Sequence, residues 1–295
     1  MKIQKPFLKW VGGKTQIIDK IINIIPKNME NYFEIFLGGG SVLMAVLSKV
    51  KNNEILIKEK VYAYDKNEGL IYVYKNIKTN SEELKKEITK HKNIYDSIGE
   101  INGNRKPKNL EEAKQSKESY YYWIRTRFNS IDKKSVEASA LFIILNKTGF
   151  RGMYREGPNG FNIPFGNYKK TPKFINGVEM DNVKELIKDV IFEVKDFRDS
   201  IKNAKKNDFV YLDPPYAPKK DDSFVGYVKE GFGLENHKKL FKMVKKLECK
   251  FLFHNAKVDL IEKEFVEYNI EEQLCRRAIN SKNPGSTAKE LIIYN

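Results

Sequence analysis

Cysteine and histidine are scarce in this chain: Cys249 and Cys275, and His91, His237 and His254, are spread over 295 residues. Two thiols cannot build a disulfide framework, and no Cys or His grouping has zinc-site spacing. Neither a disulfide scaffold nor a metal site is expected, and a reducing compartment fits. No run of about 18 apolar residues occurs, so no helical membrane span is expected. The opening stretch MKIQKPFLKWVGGK is broken by charge and glycine before a signal-peptide apolar region could form. The expectation is a soluble, cytoplasmic protein without membrane association.

Acidic residues are in deficit too. Against 39 Asp and Glu stand 54 Lys and Arg, a formal net charge of +15. Such an excess favours a polyanionic partner, nucleic acid first, but a solubilising lysine surface accounts for it equally well. The length allows one or two domains.

What is present has an α/β rhythm. Residues 15–25 carry Ile17, Ile18, Ile21, Ile22 and Ile25 on one helical face before Pro26. NYFEIF (residues 31–36) reads as a strand, LGGGS as a turn and VLMAVLSKV as a helix. VYAYD (61–65) is a second strand, ending in an acid. Strand, glycine turn, helix, strand, acid is the opening of a doubly wound sheet. From about residue 68 to 173 the pattern turns to polar helices (81–91, 116–129, 135–146) around a connector at 98–108, which predicts a helical insertion. Strands resume at VIFEV (190–194), FVYLD (209–213) and FLFHN (251–255). Apolar runs at 265–274 and 291–294, with no helix between them, predict an antiparallel hairpin at the sheet edge.

In FLGGGS the glycines Gly38, Gly39 and Gly40 join a strand to a helix, where a small turn lets a ligand approach the backbone or simply allows tight packing. Asp65 ends the next strand, where an acid accepts hydrogen bonds from ribose hydroxyls. No third glycine completes a dinucleotide fingerprint, so an adenosyl group without a pyrophosphate suits the cleft better.

YLDPPYAP (211–218) closes a strand with a carboxylate. A lone Asp before Pro is often a turn cap. Here Pro214 and Pro215 fix φ and donate no N–H, leaving rigid outward carbonyls. An exocyclic amine of a nucleobase has two hydrogens that need two acceptors, and the Asp213 carboxylate with the Pro214 carbonyl supplies them. Tyr216 offers a stacking surface. Fixed acceptors favour a pyramidal nitrogen and stabilise the positive charge that grows on it during attack.

DPPY, FLGGG and FLKWVGGK together resemble the Dam-like (class alpha, D12) DNA adenine-N6 methyltransferases, from about Pro6 to the end of the sequence. YYWIRTRFN (121–129), LFIILNKTGFRGMYR (141–155), GFNIPFGNYKK (160–170) and RRAINS (276–281) extend the resemblance. It implies a Rossmann-like methyltransferase sheet formed by residues 1–67 and 174–295, with residues 68–173 as the target-recognition insertion. S-adenosylmethionine is the implied cofactor and methyl donor, and double-stranded DNA the implied substrate. Trp10, Lys14, Phe36, Gly38, Gly40, Asp65 and Asp213 would line the cofactor site. Asp213, Pro214, Pro215 and Tyr216 would hold an adenine flipped out of the duplex.

Arg151, Met153, Arg155, Pro164 and Tyr168 fall in a stretch that resembles the family's base-reading loop, and Lys9 matches a DNA-contacting lysine. Arginine can pair bidentately with guanine, and Met153 and Pro164 can meet a thymine methyl. Arg127, Arg276 and Arg277 are candidates for phosphate contact, as is Arg125, against plain solvation. Two stretches depart from the pattern: FRGMYREGPNG, where an asparagine often precedes the glycine, and FHNAK, where a serine–asparagine pair is usual. The target therefore stays open between GATC, the leading expectation, and CATG. A cognate restriction endonuclease is a candidate partner. The rivals are an RNA or protein-amide methyltransferase and a nonenzymatic DNA-binding module that retains the fold. No histidine is assigned a catalytic role, and the aromatics Tyr120 to Trp123 and both cysteines are expected to pack in the core.

Overall fold

The structure, a computed structural model, describes residues 3–168, 170–217, 232–276 and 287–295. Seven strands form its main sheet: β1 (Tyr32–Glu34), β2 (Val61–Asp65), β3 (Val190–Val194), β4 (Phe209–Leu212), β5 (Lys250–Ala256), β6 (Asn269–Arg276) and β7 (Thr287–Tyr294). Their spatial order is β6-β7-β5-β4-β1-β2-β3. From β3 through β5 every neighbouring pair is parallel, whereas β7 runs antiparallel to both β5 and β6. This is the mixed α/β architecture expected, and the chain reverses its winding between β1 and β4. Ligands of open α/β sheets bind at the carboxyl ends of strands beside such a switch point.

Alternation along the strands builds two cores. Tyr32, Ala63, Phe209, Tyr211, Leu252 and Ile292 face one apolar cluster; Phe33, Tyr64, Val210, Leu212, Phe253 and Ile293 face the other. Strands buried on both faces read as continuous apolar runs, which is why FVYL and FLF stand out in the sequence.

Helix α1 (Ile18–Ile24) follows a short 3-10 turn at Lys14–Gln16, and α2 (Ser41–Lys51) begins directly after the glycine turn. Between β2 and β3 come α3 (Glu68–Thr79), α4 (Ser81–Ser97), a four-residue helical turn at Leu110–Ala113, α5 (Lys117–Ser130), α6 (Val136–Thr148) and α7 (Gly177–Leu186). Polar caps define several starts. Asn67, Ser116 and Ser135 each accept a backbone N–H at the first turn, and Asn176 with Glu179 forms a reciprocal capping box. The apolar faces of these helices belong to the same cluster as one face of the sheet. Tyr74 of α3 stacks on Phe192 of β3, with 5.1 Å between centroids. The aromatics Tyr120, Tyr121 and Tyr122 are buried, as expected of core residues.

Two boundaries differ from the sequence reading. Phe265 is not the start of a strand: it follows α8 (Asp259–Glu264) and is fully buried, and β6 begins only at Asn269. An apolar residue at a helix end and one at a strand start give the same local signal. Within residues 68–173 a two-residue antiparallel pair, Glu156–Gly157 with Gly160–Phe161, interrupts the helical pattern.

Candidate functional site

Asp213 follows β4 immediately, at the carboxyl edge of the sheet, and its partner comes from the amino-terminal motif. Lys14 Nζ forms an ion pair with Asp213 Oδ2; the lysine side chain is only 3% exposed and the aspartate 20%. The same ammonium donates to the Gly12 carbonyl at 2.5 Å and lies 5.2 Å from the centre of the Tyr216 ring. KWVGGK and DPPY thus meet in one cluster, and Lys14 grips the DPPY carboxylate. The other oxygen, Asp213 Oδ1, is buried and has no hydrogen-bond partner among the described residues. A buried acceptor without a donor is costly unless something supplies one.

Pro214 is buried and Pro215 exposed. Tyr216 donates its hydroxyl hydrogen to Glu290 Oε2 at 2.9 Å, and that oxygen is 2.8 Å from His254 Nε2. Asn255 Oδ1 accepts from the backbone N–H groups of Ala217 and Ala256, both at 2.9 Å, which ties the loop after DPPY to β5. Burial alone would raise the Glu290 carboxyl, but the hydrogen bonds from His254 and Tyr216, with Lys14 at longer range, hold it down at about 2.

The glycine turn lies across the switch point from DPPY. Gly38 and Gly40 have φ of +50° and +66°, a region where side chains are strained. A Cβ on Gly38 or Gly39 would come within 2.9 or 2.7 Å of Trp10, and one on Gly40 within 2.5 Å of the Tyr74 hydroxyl. The glycines are required by these packed side chains as much as by any ligand. Asp65 Oδ2 accepts from Gly38 N–H at 3.0 Å and Oδ1 from Asn67 N–H at 2.9 Å, so this acid holds the turn in place. Burial raises its pKa while the backbone donors oppose the rise.

On the other side of the turn Phe36 forms an aromatic cluster with Phe197 and Phe232, at centroid distances of 6.0 and 5.9 Å. Phe197 and Phe232 are the members sequence reading missed; an acid-then-aromatic pair, Asp196 and Phe197, just after β3 is the signal that could have found them. On β1 itself, buried Glu34 accepts from Tyr32 Oη at 2.8 Å, and burial lifts its carboxyl to about 8.

The residues singled out for DNA contact are distributed as follows. Lys9 exchanges hydrogen bonds with Asn146 of α6 through its backbone, and its ammonium lies 4.5 Å from the Tyr168 ring centre. Tyr168 Oη donates to the Gly149 carbonyl at 3.0 Å. Arg151 has φ of +56°, and its guanidinium lies over Phe150. Met153 packs on the core, Pro164 is exposed, and Arg155 is exposed with its Nε donating to Asn162 Oδ1 at 2.7 Å. Lys9, residues 149–155 and Tyr168 therefore form one neighbourhood. Arg127 pairs with Glu137, its Nε and Nη2 donating at 2.7 and 2.9 Å. Arg276 ends β6 and is exposed; Arg277 lies outside the described residues.

The sequence is matched by known proteins. A family model described as D12 class N6 adenine-specific DNA methyltransferase matches residues 10–279. The chain belongs to this family. It is 34% identical to the Type II methyltransferase M.MjaIII of Methanocaldococcus jannaschii, with 99% of each chain covered. It is 30% identical to the Type II methyltransferase M1.LlaDCHI of Lactococcus lactis subsp. cremoris, over 99% of this chain and 95% of the relative. The DNA adenine methylase of Escherichia coli K12 is 28% identical, over 99% of this chain and 94% of its own. The enzyme class expected from DPPY and the glycine turn, an adenine-specific DNA methyltransferase, is thereby shown. No helix among the described residues is long and apolar enough to cross a membrane, and no group of three or more His, Cys, Asp or Glu there could hold a metal ion.

Proposed function

We propose that this D12 family member transfers a methyl group from S-adenosylmethionine to N6 of an adenine within a short palindromic duplex site, with GATC as the target and CATG as its competitor. The observation that carries the reading is Asp213 Oδ1, a buried acceptor without a donor among the described residues, on a carboxylate whose partner Lys14 lies over the Tyr216 ring. A nucleobase amine brings the missing hydrogen.

The residues fit the cofactor. The Phe36, Phe197 and Phe232 rings suit a planar base, the Asp65 carboxyl retains acceptor capacity for ribose hydroxyls, and Trp10 packs over the turn between them. When bound, S-adenosylmethionine supplies an electrophilic methyl group. Asp213 Oδ1 accepts one N6 hydrogen and the Pro214 carbonyl the other, so the nitrogen lone pair leaves conjugation with the ring. Lys14 fixes Oδ2 and so aims Oδ1. Tyr216 stacks on the flipped base, and unstacking it from the duplex costs roughly a few kcal/mol.

Residues 1–67 and 174–295 form the catalytic unit in this reading, and residues 68–173 read the target. Lys9, Arg151, Met153, Arg155, Pro164 and Tyr168 lie on the base-reading side, with Arg276 and Arg277 as phosphate contacts. A cognate restriction endonuclease is a candidate partner, a reading supported by two relatives named as Type II methyltransferases. The test is to incubate a random-sequence duplex pool with the protein and labelled S-adenosylmethionine, then map the modified adenines. Modification confined to GATC is expected and should vanish in a folded Asp213→Ala variant. Methyl transfer by that variant at the wild-type rate overturns the role given to Asp213.

A further inference from the structure

The DPPY tyrosine is braced by two residues that no motif marks. Glu290 Oε2 receives the Tyr216 hydroxyl at 2.9 Å and lies 2.8 Å from His254 Nε2. The His254 and Tyr216 rings are nearly parallel, 12° apart, with centroids separated by 6.0 Å. His254 is completely buried and Glu290 is 8% exposed. Both are placed by the sheet: His254 on β5 faces Ile292 of β7, and Glu290 lies two residues earlier on that strand. With a period of two, Glu290 and Ile292 point to the same face.

An ionised carboxylate accepts hydrogen bonds and donates none. Glu290 Oε2 can therefore hold both neighbours only when His254 carries its proton on Nε2. His254 Nδ1 is left as a buried nitrogen without a partner among the described residues. Burying a carboxylate is unfavourable unless it is paired and hydrogen-bonded. Here Tyr216 and His254 hydrogen-bond Glu290, Lys14 acts at longer range, and the Cys275 thiol of β6 is a further neighbour outside the DPPY cluster.

A tyrosine ring turns about two side-chain torsions, and a stacking platform that turns loses alignment with the base. We propose that Glu290 and His254 are positioning residues that fix the Tyr216 ring plane for the flipped adenine, an assignment that rests on the function proposed above. Glu290 anchors the hydroxyl end of the ring. His254 holds the Glu290 carboxylate and flanks the ring with its own parallel plane. Neither touches the reacting atoms.

A double-mutant cycle tests this, with single-turnover methyl transfer to duplex DNA and cofactor affinity read in parallel. Glu290→Gln and Tyr216→Phe should each lower the single-turnover rate about tenfold, the scale of one hydrogen bond to a charged group, with cofactor affinity unchanged within about twofold. Combining them should cost less than about twofold beyond the worse single variant. His254→Ala should show the same non-additivity with Tyr216→Phe, and His254→Gln, whose amide can reach towards the Nε2 position, should recover part of the rate. Losses that multiply in the combined variant, or full activity of Glu290→Gln, overturn the proposal. Should Glu290→Gln fail to fold, the His254 arm decides alone. If the unaltered protein transfers no methyl to any DNA, the proposed function falls and this assignment with it; an active enzyme with a multiplicative cycle removes the positioning pair only.

Discussion

Replacing Lys14 by methionine isolates the contact that holds the DPPY carboxylate. Methionine fills a comparable volume but removes the ammonium, so Asp213 Oδ2 and the Gly12 carbonyl lose their donor and Tyr216 loses a cation 5.2 Å from its ring. Breaking a buried ion pair from one side costs about 3–5 kcal/mol because the remaining charge stays desolvated. Asp213 is 20% exposed, so water screens part of that charge and the loss should fall near the lower bound, about 2–3 kcal/mol. In a chain of this size that is a fall in Tm of roughly 3–5 °C. Thermal and urea unfolding followed by circular dichroism measure it without reference to activity. Asp213→Asn in the same background provides the control. With both charges removed no orphan remains, and the pair should be destabilised by less than the sum of the single changes, with a coupling of about 1.5 kcal/mol or more. Additive losses, or a Lys14→Met variant whose Tm moves by less than about 1 °C, would mean that Lys14 does not support Asp213.

Three further outcomes follow from the geometry. Gly40→Ala places a Cβ 2.5 Å from the Tyr74 hydroxyl at a φ of +66° and should cost about 1–2 kcal/mol from backbone strain alone, with more from the clash; adding Tyr74→Phe removes the nearest atom and should recover part of the loss in urea unfolding. The Glu34 carboxyl is raised from its ordinary 4.5 to about 8 by burial, so its contribution to stability is complete below pH 4.5 and lost as pH rises through about 8; Glu34→Gln should flatten the unfolding midpoint against pH over that window, and an unchanged slope refutes the buried, proton-holding role. Arg155→Ala should relax discrimination between the cognate site and sites altered at one base by about ten- to a hundredfold, whereas Arg127→Ala, whose guanidinium is already held by Glu137, should leave discrimination intact; competition binding on matched duplexes separates the two.

The parts of the fold that were legible in the sequence are those whose signal is local. FVYL and FLF are buried on both faces and read as strands, and FLGGGS reads as a turn because the backbone there enters the left-handed region at Gly38 and Gly40. Asp213 and Tyr216 stood out for the same reason, since two prolines in sequence leave few conformations. Tertiary pairings were not legible. Lys14 is marked in the sequence by its motif, but its pairing with Asp213, 199 positions away, appears only in the fold. Glu290 and His254 carry a weak trace, a lone acid in KELIIY and a lone imidazole in FLFHN, but which face each occupies depends on the register of β7 against β5. A one-residue shift in that register would have turned Glu290 away from Tyr216.

Trp10 shows why the cofactor turn and the loop around Arg155 cannot be treated as independent parts. Its side chain lies against Gly38 and Gly39, and its ring packs against both Phe142 of α6 and Tyr154 at centroid distances of 6.4 and 6.0 Å. Tyr154 stands between Met153 and Arg155 and bonds Glu156 through its hydroxyl. Phe142 and Tyr154 also stack on each other at 5.4 Å, which closes a three-ring cluster. Close-packed interiors transmit displacement because no void is available to absorb it. In the proposed reading, where this loop meets DNA, a shift of it would press on Trp10 and through it on the turn that Asp65 holds by Gly38. Such coupling would need no long relay, since a single indole touches both the loop around Arg155 and Gly38 and Gly39.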